Sequence, residues 1–167
     1  MRVIVTGATS FIGSHAVQTL INQGFEVCAL IRPNSAGKKN LEHMIIKKEL
    51  LEIIECELSG LKELAVNAEK LSKIGQKWSH NLGRADYWLH LGWDGSGSDN
   101  RKLADIQSMN AVYALDALET AAAAHCKRFL FCGSQAEYGV RNTTMRETDE
   151  LHPLSEYGKA KAKAVSY

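Results

Sequence analysis

The stretch TGATSFIG, residues 6–13, lies between an apolar run at residues 2–6 and a segment of helical period at residues 12–22. Its glycines, Gly7 and Gly13, allow a tight turn and a close approach of the backbone to a bound group. The first N–H groups of a helix have no partner in the helix, and its dipole is positive there. The stretch therefore predicts a binding site for a nucleotide pyrophosphate, with an ordinary strand-to-helix turn as the alternative.

Apolar runs alternate with segments of helical period along the rest of the chain. The predicted strands are 2–6, 26–31, 51–56, 86–91 and 128–133; the predicted helices are 12–22, 103–125 and, with a less regular period, 40–50 and 61–77; the predicted loops are 93–102 and 139–154. Strands that alternate with helices are typical of a parallel sheet with helices on both faces. The fold class expected is α/β, a doubly wound parallel sheet.

The chain has 167 residues, of which 45% are hydrophobic and 23% charged, and this predicts a single globular domain over residues 1–167. Its 20 basic and 19 acidic side chains produce no net field that would attract nucleic acid or an anionic membrane. The apolar runs are too short for a membrane span, and the chain begins at once with a strand. A cytoplasmic protein that binds small molecules or other proteins is therefore expected.

Cysteine and histidine positions give little sign of a metal site or a disulfide. The four cysteines contain no Cys-x-x-Cys pair and are expected to pack as small core residues: Cys28, Cys56, Cys126 and Cys132. His90, at the end of the fourth strand, could act as an acid or base, but a hydrogen-bonded packing role is expected. His15, in the first helix, is also expected to pack.

Arg32 follows directly after the second predicted strand. In a dinucleotide-binding sheet the residue at this point faces the adenosine ribose, where an acid favours NAD and an arginine accommodates the 2′-phosphate of NADP. Because neither Ile31 nor Arg32 is acidic, NADP is predicted, with NAD as the alternative cofactor. The alternative for Arg32 itself is a solvated strand end.

Tyr157 and Lys161 stand four residues apart in a helix expected to begin at Ser155. A phenol acts as a base near neutral pH only if a nearby positive charge stabilises the phenolate, and a lysine one turn away supplies it. A chance pair of this spacing is the alternative. Ser134 follows the strand 128–133, at the carboxyl edge where open parallel sheets bind ligands. The joint placement of the three motifs favours a dinucleotide-dependent enzyme.

With these residues the chain resembles the amino-terminal part of extended short-chain dehydrogenases/reductases, in the NAD-dependent epimerase/dehydratase group that acts on nucleotide sugars. The pattern Thr-Gly-x-x-Gly-x-x-Gly is matched at Thr6, Gly7 and Gly13, with Ser10 in place of the middle glycine. The resemblance implies a Rossmann sheet of order 3-2-1-4-5. It also implies a substrate region beyond the tyrosine helix, which this sequence does not contain.

The resemblance further implies roles for individual residues. Ser134 and Tyr157 match the catalytic serine and tyrosine, Lys161 the lysine that holds the ribose, and Asn110 an asparagine that helps to position this lysine. Cofactor-binding positions are implied at Gly7, Thr9, Ser10, Phe11, Ile12, Gly13, Arg32, Glu57, Leu58 and Leu91, together with Tyr157 and Lys161; His90-Leu91-Gly92-Trp93 matches the family's His-Leu-Ala-Ala loosely.

The implied function is a nucleotide-sugar 4-epimerase or 4-ketoreductase. Dehydration is disfavoured because Gln135 and Ala136 stand where the dehydratases carry Asp and Glu. The alternatives are a reductase of a non-sugar carbonyl and a cofactor-binding or redox-sensing module without turnover. A nucleotide sugar is the expected partner, and a homodimer or another form of self-association is also expected.

Overall fold

The computed structural model describes residues 1–64 and 85–167. The strands are β1 (Arg2–Thr6), β2 (Glu26–Ile31), β3 (Leu51–Glu55), β4 (Tyr87–His90) and β5 (Arg128–Phe131). The helices are α1 (Phe11–Asn22), α2 (Lys38–Met44), α3 (Ala104–Ala123) and α4 (Glu156–Val165). Short 3-10 turns lie at 48–50, 58–60, 100–102 and 135–137.

The five strands form one sheet of order β3-β2-β1-β4-β5, which confirms the predicted order. The pairings of β1 with β2, β1 with β4 and β2 with β3 are parallel. Three strands end earlier than the sequence predicted. After β4, for example, the Leu91 N–H lies within hydrogen-bond distance of both the carbonyl and the hydroxyl oxygen of Thr6, and the Gly92 N–H donates to that hydroxyl, so the Thr6 side chain takes over the pairing where the strand ends.

Two compact units make up the chain: Met1–Gly92 with Asp116–Leu130, and Trp93–Leu115 with Phe131–Tyr167. The expected single domain over 1–167 stays a prediction. The core of the first unit lies between sheet and helix α1, where Val5, Ala29 and Val17 have no exposed surface. In the same unit the buried Thr120 hydroxyl of α3 donates to the Leu61 carbonyl, 3.0 Å away.

Helix α1 follows its sequence pattern closely. Gly13, Val17 and Ile21, spaced by four residues, form its buried face. The helix ends before Gly24, which has the left-handed φ of +82° expected of a residue that terminates a helix.

The other helices depart from their predicted bounds. Helix α2 covers 38–44 instead of 40–50, because Ile45 takes an extended conformation and is buried in the core. Helix α3 covers 104–123 instead of 103–125; a few residues later His125 adopts a φ of +56°. Of the helix predicted at 61–77, residues 61–64 are helical and the remainder lies outside the described residues.

All four cysteines are free thiols. Cys28 is buried, as expected of a core residue, and burial raises the pKa of its thiol to about 12. Cys132 is exposed at the end of β5, so the core placement expected for it is wrong. Within the described part of the chain no helix is both long and apolar enough to cross a membrane.

Candidate functional site

The turn after β1 is closed by two glycines. Gly7 has a φ of +66°, and a side chain there would lie 2.8 Å from the backbone of Gly92. A side chain on Gly13 would lie 2.1 Å from the Gly7 carbonyl oxygen. The turn therefore has no room for a side chain at either position, because each Cβ would meet the chain's own backbone.

Ser10, which replaces the middle glycine of the family pattern, caps helix α1. Its hydroxyl oxygen accepts the Gly13 N–H at 3.0 Å. The N–H groups of Phe11 and Ile12 lie in the first turn, where a helix supplies no backbone acceptor. Both residues are exposed, Phe11 to 83% and Ile12 to 61%. This helix start can therefore donate backbone hydrogen bonds to an anionic group.

Thr6 joins the end of β1 to the segment after β4. Its hydroxyl oxygen accepts the N–H groups of Leu91 at 3.2 Å and Gly92 at 3.1 Å. The same hydroxyl lies 2.9 Å from Nδ1 of the buried His90. Because the oxygen already accepts two N–H groups, its own proton is available to His90 Nδ1. His90 is thus a hydrogen-bonded packing residue, as expected.

The remaining predicted cofactor residues of this unit follow the ends of four strands: Thr9 after β1, Arg32 after β2, Glu57 and Leu58 after β3, and Leu91 after β4. Arg32 and Glu57 are exposed at the carboxyl ends of β2 and β3. Thr9 bonds through its hydroxyl to Ser35 at 2.9 Å. Leu58 is buried and packs against Gly92: a Cβ on Gly92 would lie 2.8 Å from a methyl carbon of Leu58.

The second unit holds Lys161 inside a group of aromatic rings. Lys161 is 5% exposed, and its ammonium donates a 2.7 Å hydrogen bond to the Cys132 carbonyl. The ring centroids of Trp93 and Phe131 lie 3.8 and 4.5 Å from its nitrogen. Burial lowers the pKa of Lys161 to about 8.

Tyr157 lies one turn before Lys161 on α4, a helix capped by the hydroxyl of Ser155. The Lys161 nitrogen is 5.9 Å from the centre of the Tyr157 ring. The guanidinium carbon of Arg101 is closer, at 4.6 Å. Trp93 meets the same ring edge-on with centroids 5.8 Å apart. Two cations thus border the tyrosine, of which the sequence predicted only Lys161.

Ser134 caps the 3-10 turn at 135–137. Its hydroxyl oxygen accepts the Ala136 N–H at 3.2 Å, and the buried Glu137 carboxylate accepts the Ser134 N–H. Gly158 of α4 packs directly on this turn, since a Cβ there would lie 2.4 Å from the Ala136 carbonyl oxygen. The absence of a side chain on Gly158 therefore lets the tyrosine helix approach the serine turn.

Asn110 and Gln107 hold the segment 93–102 against helix α3. Asn110 is buried and exchanges two hydrogen bonds of 2.8 Å with the backbone of Asp94. Gln107, with no exposed surface, donates to the carbonyls of Gly95 and Asn100 and accepts the indole N–H of Trp93 at 2.9 Å. These contacts give the predicted loop a fixed conformation.

The predicted catalytic residues Ser134, Tyr157, Lys161 and Asn110 all belong to the second unit, and the glycine turn belongs to the first. Sequence reasoning missed Arg101 and Gln107, whose spacing carries no recognisable pattern. It could have noticed Trp93, because a large ring stands there in place of a family alanine. His15 is exposed beside Phe11, so its expected packing role is wrong.

A sequence model described as the NAD dependent epimerase/dehydratase family matches residues 3–167. The chain belongs to this family. It is 25% identical over 164 residues to UDP-glucose 4-epimerase of Pisum sativum, and the match covers 96% of this chain and 44% of that protein. The chain thus spans less than half the length of this relative.

Solved structures of epimerases share the fold of this member of the epimerase/dehydratase family. The UDP-Glc/GlcNAc 4-epimerase from Campylobacter jejuni is similar with a TM-score of 0.79 and 21% identity, over 99% of this chain and 47% of that one. UDP-glucuronic acid 4-epimerase from Bacillus cereus, in complex with NAD, has a TM-score of 0.72 and 22% identity, over 99% and 50%. The family resemblance and the fold expected from the sequence are both confirmed.

Proposed function

We propose that the protein containing this chain is an NAD(P)-dependent nucleotide-sugar 4-epimerase or 4-ketoreductase. The observation that carries the proposal is the cluster of the second unit, in which Lys161 is buried one helical turn from Tyr157. A sensor without turnover has no need of a paired phenol and ammonium. Membership of the epimerase/dehydratase family supports the same activity.

The first unit offers backbone groups that fit the pyrophosphate of a dinucleotide. Phe11 and Ile12 are exposed at the start of α1, where the first N–H groups of a helix have no partner in the helix. Gly7, Ser10 and Gly13 would shape this turn, while Phe11 and Ile12 would donate from the backbone. The loop residues Thr9, Arg32, Glu57, Leu58 and Leu91 would contact the rest of the cofactor.

In the second unit each predicted residue would have a separate task. When bound, the nicotinamide would supply hydride exchange at sugar C4. Tyr157 would take the proton from the C4 hydroxyl or return it, and Ser134 would hydrogen-bond the same hydroxyl. Lys161 would hold the ribose beside nicotinamide and stabilise the phenolate. Asn110 would keep the segment before α3 in place through Asp94.

Dehydration remains disfavoured for a structural reason as well. Gln135 and Ala136 have no acidic proton to donate. The nearest acid in sequence, Glu137, is buried and accepts the Ser134 N–H. Its carboxylate is committed to the local turn, so we infer that proton transfer at C4 is the chemistry of this site.

We propose further that Arg32 selects NADP over NAD through a charge-assisted hydrogen bond to the 2′-phosphate, worth roughly 1.5 to 3 kcal/mol. Calorimetric titration of the chain with both nucleotides tests this preference. Arg32→Ala should abolish it. Arg128→Ala is the matched control, since Arg128 is exposed at the opposite, amino end of β5. Equal affinities in the unmodified chain would refute the role of Arg32.

The acid-base role is tested in a protein extended to the length of its relatives. Tyr157→Phe should remove nearly all turnover on the cognate nucleotide sugar and leave the affinity for the dinucleotide almost unchanged, because the lost hydroxyl acts on a proton. Tyr113→Phe, on α3, serves as the control for loss of a phenol. Undiminished turnover by Tyr157→Phe would show that another group is the base.

For the 167-residue chain by itself we propose dinucleotide binding without turnover, because a sugar fixed poorly against nicotinamide loses orders of magnitude in rate. We also propose self-association, since large apolar side chains are exposed: Leu130 (50%), Leu154 (74%) and Val165 (51%). Light scattering and an assay with a panel of nucleotide sugars test these points. A monomer with robust turnover would contradict both.

A further inference from the structure

Trp93 occupies the space next to the most buried ammonium of the second unit. Its ring centroid is 3.8 Å from the Lys161 nitrogen, closer than the rings of Phe131 at 4.5 Å and Tyr157 at 5.9 Å. At this distance the face of an indole attracts a cation electrostatically, and tryptophan is the strongest of the aromatic side chains in this respect. The indole is therefore a binding partner of the ammonium.

The indole is itself held in position. Its N–H donates to the side-chain oxygen of Gln107 at 2.9 Å. Gln107 is fully buried, and its amide nitrogen donates to the carbonyls of Gly95 and Asn100, 3.0 Å away in each case. Three hydrogen bonds thus fix Gln107, and through it they fix the orientation of Trp93. This chain of contacts connects helix α3 to Lys161.

Lys161 has few ways left to meet another ligand. One of the three N–H groups of its ammonium donates to the Cys132 carbonyl, and the side chain is 5% exposed. The rings of Trp93 and Phe131 lie 3.8 and 4.5 Å from the nitrogen. A hydroxyl that is to accept a hydrogen bond from Lys161 would therefore compete with these aromatic contacts.

We propose that Trp93 is a positioning residue, whose indole holds the Lys161 ammonium at the Cys132 carbonyl and competes for it with any hydroxyl ligand. The competition with a ribose hydroxyl rests on the proposed function, whereas the hold on Lys161 does not. Displacing the indole costs its cation–π contact, so a dinucleotide that uses Lys161 binds more weakly than it would without Trp93. Trp93 thereby sets the affinity of the site.

Trp93→Phe and Trp93→Leu form a matched pair, because the two side chains are similar in size and only phenylalanine has an aromatic face. Each variant of the 167-residue chain is treated with an amine-acylating reagent, and the rate at each lysine is read by peptide mass spectrometry. Lys159 and Lys163, exposed on the same helix, are the internal references. Melting temperatures identify any variant that fails to fold.

We expect Lys161 to react more slowly than both references in the unmodified chain. Lys161 should react roughly fivefold faster in Trp93→Leu than in Trp93→Phe, because a cation–π interaction of about 1 kcal/mol corresponds to a factor of about five. The references should not change. Equal Lys161 rates in the two variants, or a Lys161 as reactive as Lys159 in the unmodified chain, would overturn the proposal.

Titration of the same variants with NADP measures the competition. Trp93→Leu should bind NADP roughly fivefold more tightly than Trp93→Phe. A leucine at position 93 makes no cation–π contact that the dinucleotide has to displace from Lys161, whereas a phenylalanine does. Equal affinities would refute the competition between Trp93 and ribose. Binding by neither variant nor the unmodified chain would refute the dinucleotide binding proposed for the 167-residue chain, while the acylation rates would still decide whether Trp93 holds Lys161.

Discussion

Three glycine-to-alanine substitutions separate the two reasons why this chain uses glycine. Gly13 has an ordinary helical backbone, but a Cβ there would lie 2.1 Å from the Gly7 carbonyl oxygen. Gly24 has a φ of +82° with no atom within 4 Å of its Cβ position. Gly97 has no positive φ and no atom within 4 Å of its Cβ position. The three positions thus isolate a steric clash, a backbone strain and a neutral control.

The expected magnitudes follow from these environments. A carbon and an oxygen atom pack no closer than roughly 3.3 Å, so Gly13→Ala forces the turn open by about 1.2 Å. It should cost the upper part of the roughly 1–3 kcal/mol typical of overpacking. Gly24→Ala should cost about 1–2 kcal/mol because the left-handed conformation is strained for alanine. Gly97→Ala should change the free energy of unfolding by less than about 0.5 kcal/mol.

Urea denaturation of the 167-residue chain, followed by circular dichroism, measures all three differences under the same conditions. Gly13→Ala should also weaken dinucleotide binding, because the displaced carbonyl and the start of α1 belong to the proposed pyrophosphate turn. Gly97→Ala and Gly24→Ala should leave that affinity unchanged. A Gly13→Ala variant as stable as Gly97→Ala would show that the turn is wide enough for a side chain, and the steric argument would then be wrong.

Three further substitutions test the second unit and helix α3. Burial lowers the pKa of Lys161 from its ordinary 10.5 to about 8, so between these pH values the unfolded chain binds more protons than the folded chain, and the stability contributed by this group rises with pH. Lys161→Met should remove this rise from the urea midpoints measured across that pH range. An unchanged dependence of the midpoint on pH would refute the shift. Thr120→Val should lower the free energy of unfolding by about 1–2 kcal/mol, because the buried hydrogen bonds of the Thr120 hydroxyl are lost. Thr19→Val, at an exposed position of α1, should change it little. Equal losses in the two variants would contradict the role of the Thr120 hydroxyl. Gly158→Ala should push α4 away from the Ala136 carbonyl and destabilise the chain by roughly 1–3 kcal/mol in the same denaturation assay. An unchanged free energy of unfolding would show that α4 does not pack closely on this carbonyl.

Local patterns in the sequence were sufficient to predict the strands of the sheet and the glycine motif at its first turn. The run at residues 26–31 predicted β2 with its observed bounds, because a buried parallel strand is continuously apolar. Gly24 marks the end of α1 through a preference that acts over a few residues, whereas the capping role of Ser10 is seen only in the structure. Family resemblance added the strand order, which local patterns do not contain.

The sequence did not determine where several elements end. Helix α2 stops at Met44 because Ile45 is buried in the core, and β4 ends where Thr6 accepts the next two N–H groups. Thr6 and Leu91 are 85 positions apart in the chain. Tertiary packing therefore overrode the local preference in both cases.

The sequence by itself determined the α/β class, the glycine turn and the Tyr157–Lys161 spacing, because each depends on residues within one or two turns of one another. Only the tertiary structure decided what surrounds that pair. Trp93 is 68 positions before Lys161, and Arg101 is 56 before Tyr157, yet each touches its partner. Contacts of this kind arise when separate segments pack side by side, and side-chain spacing along the chain carries no record of them.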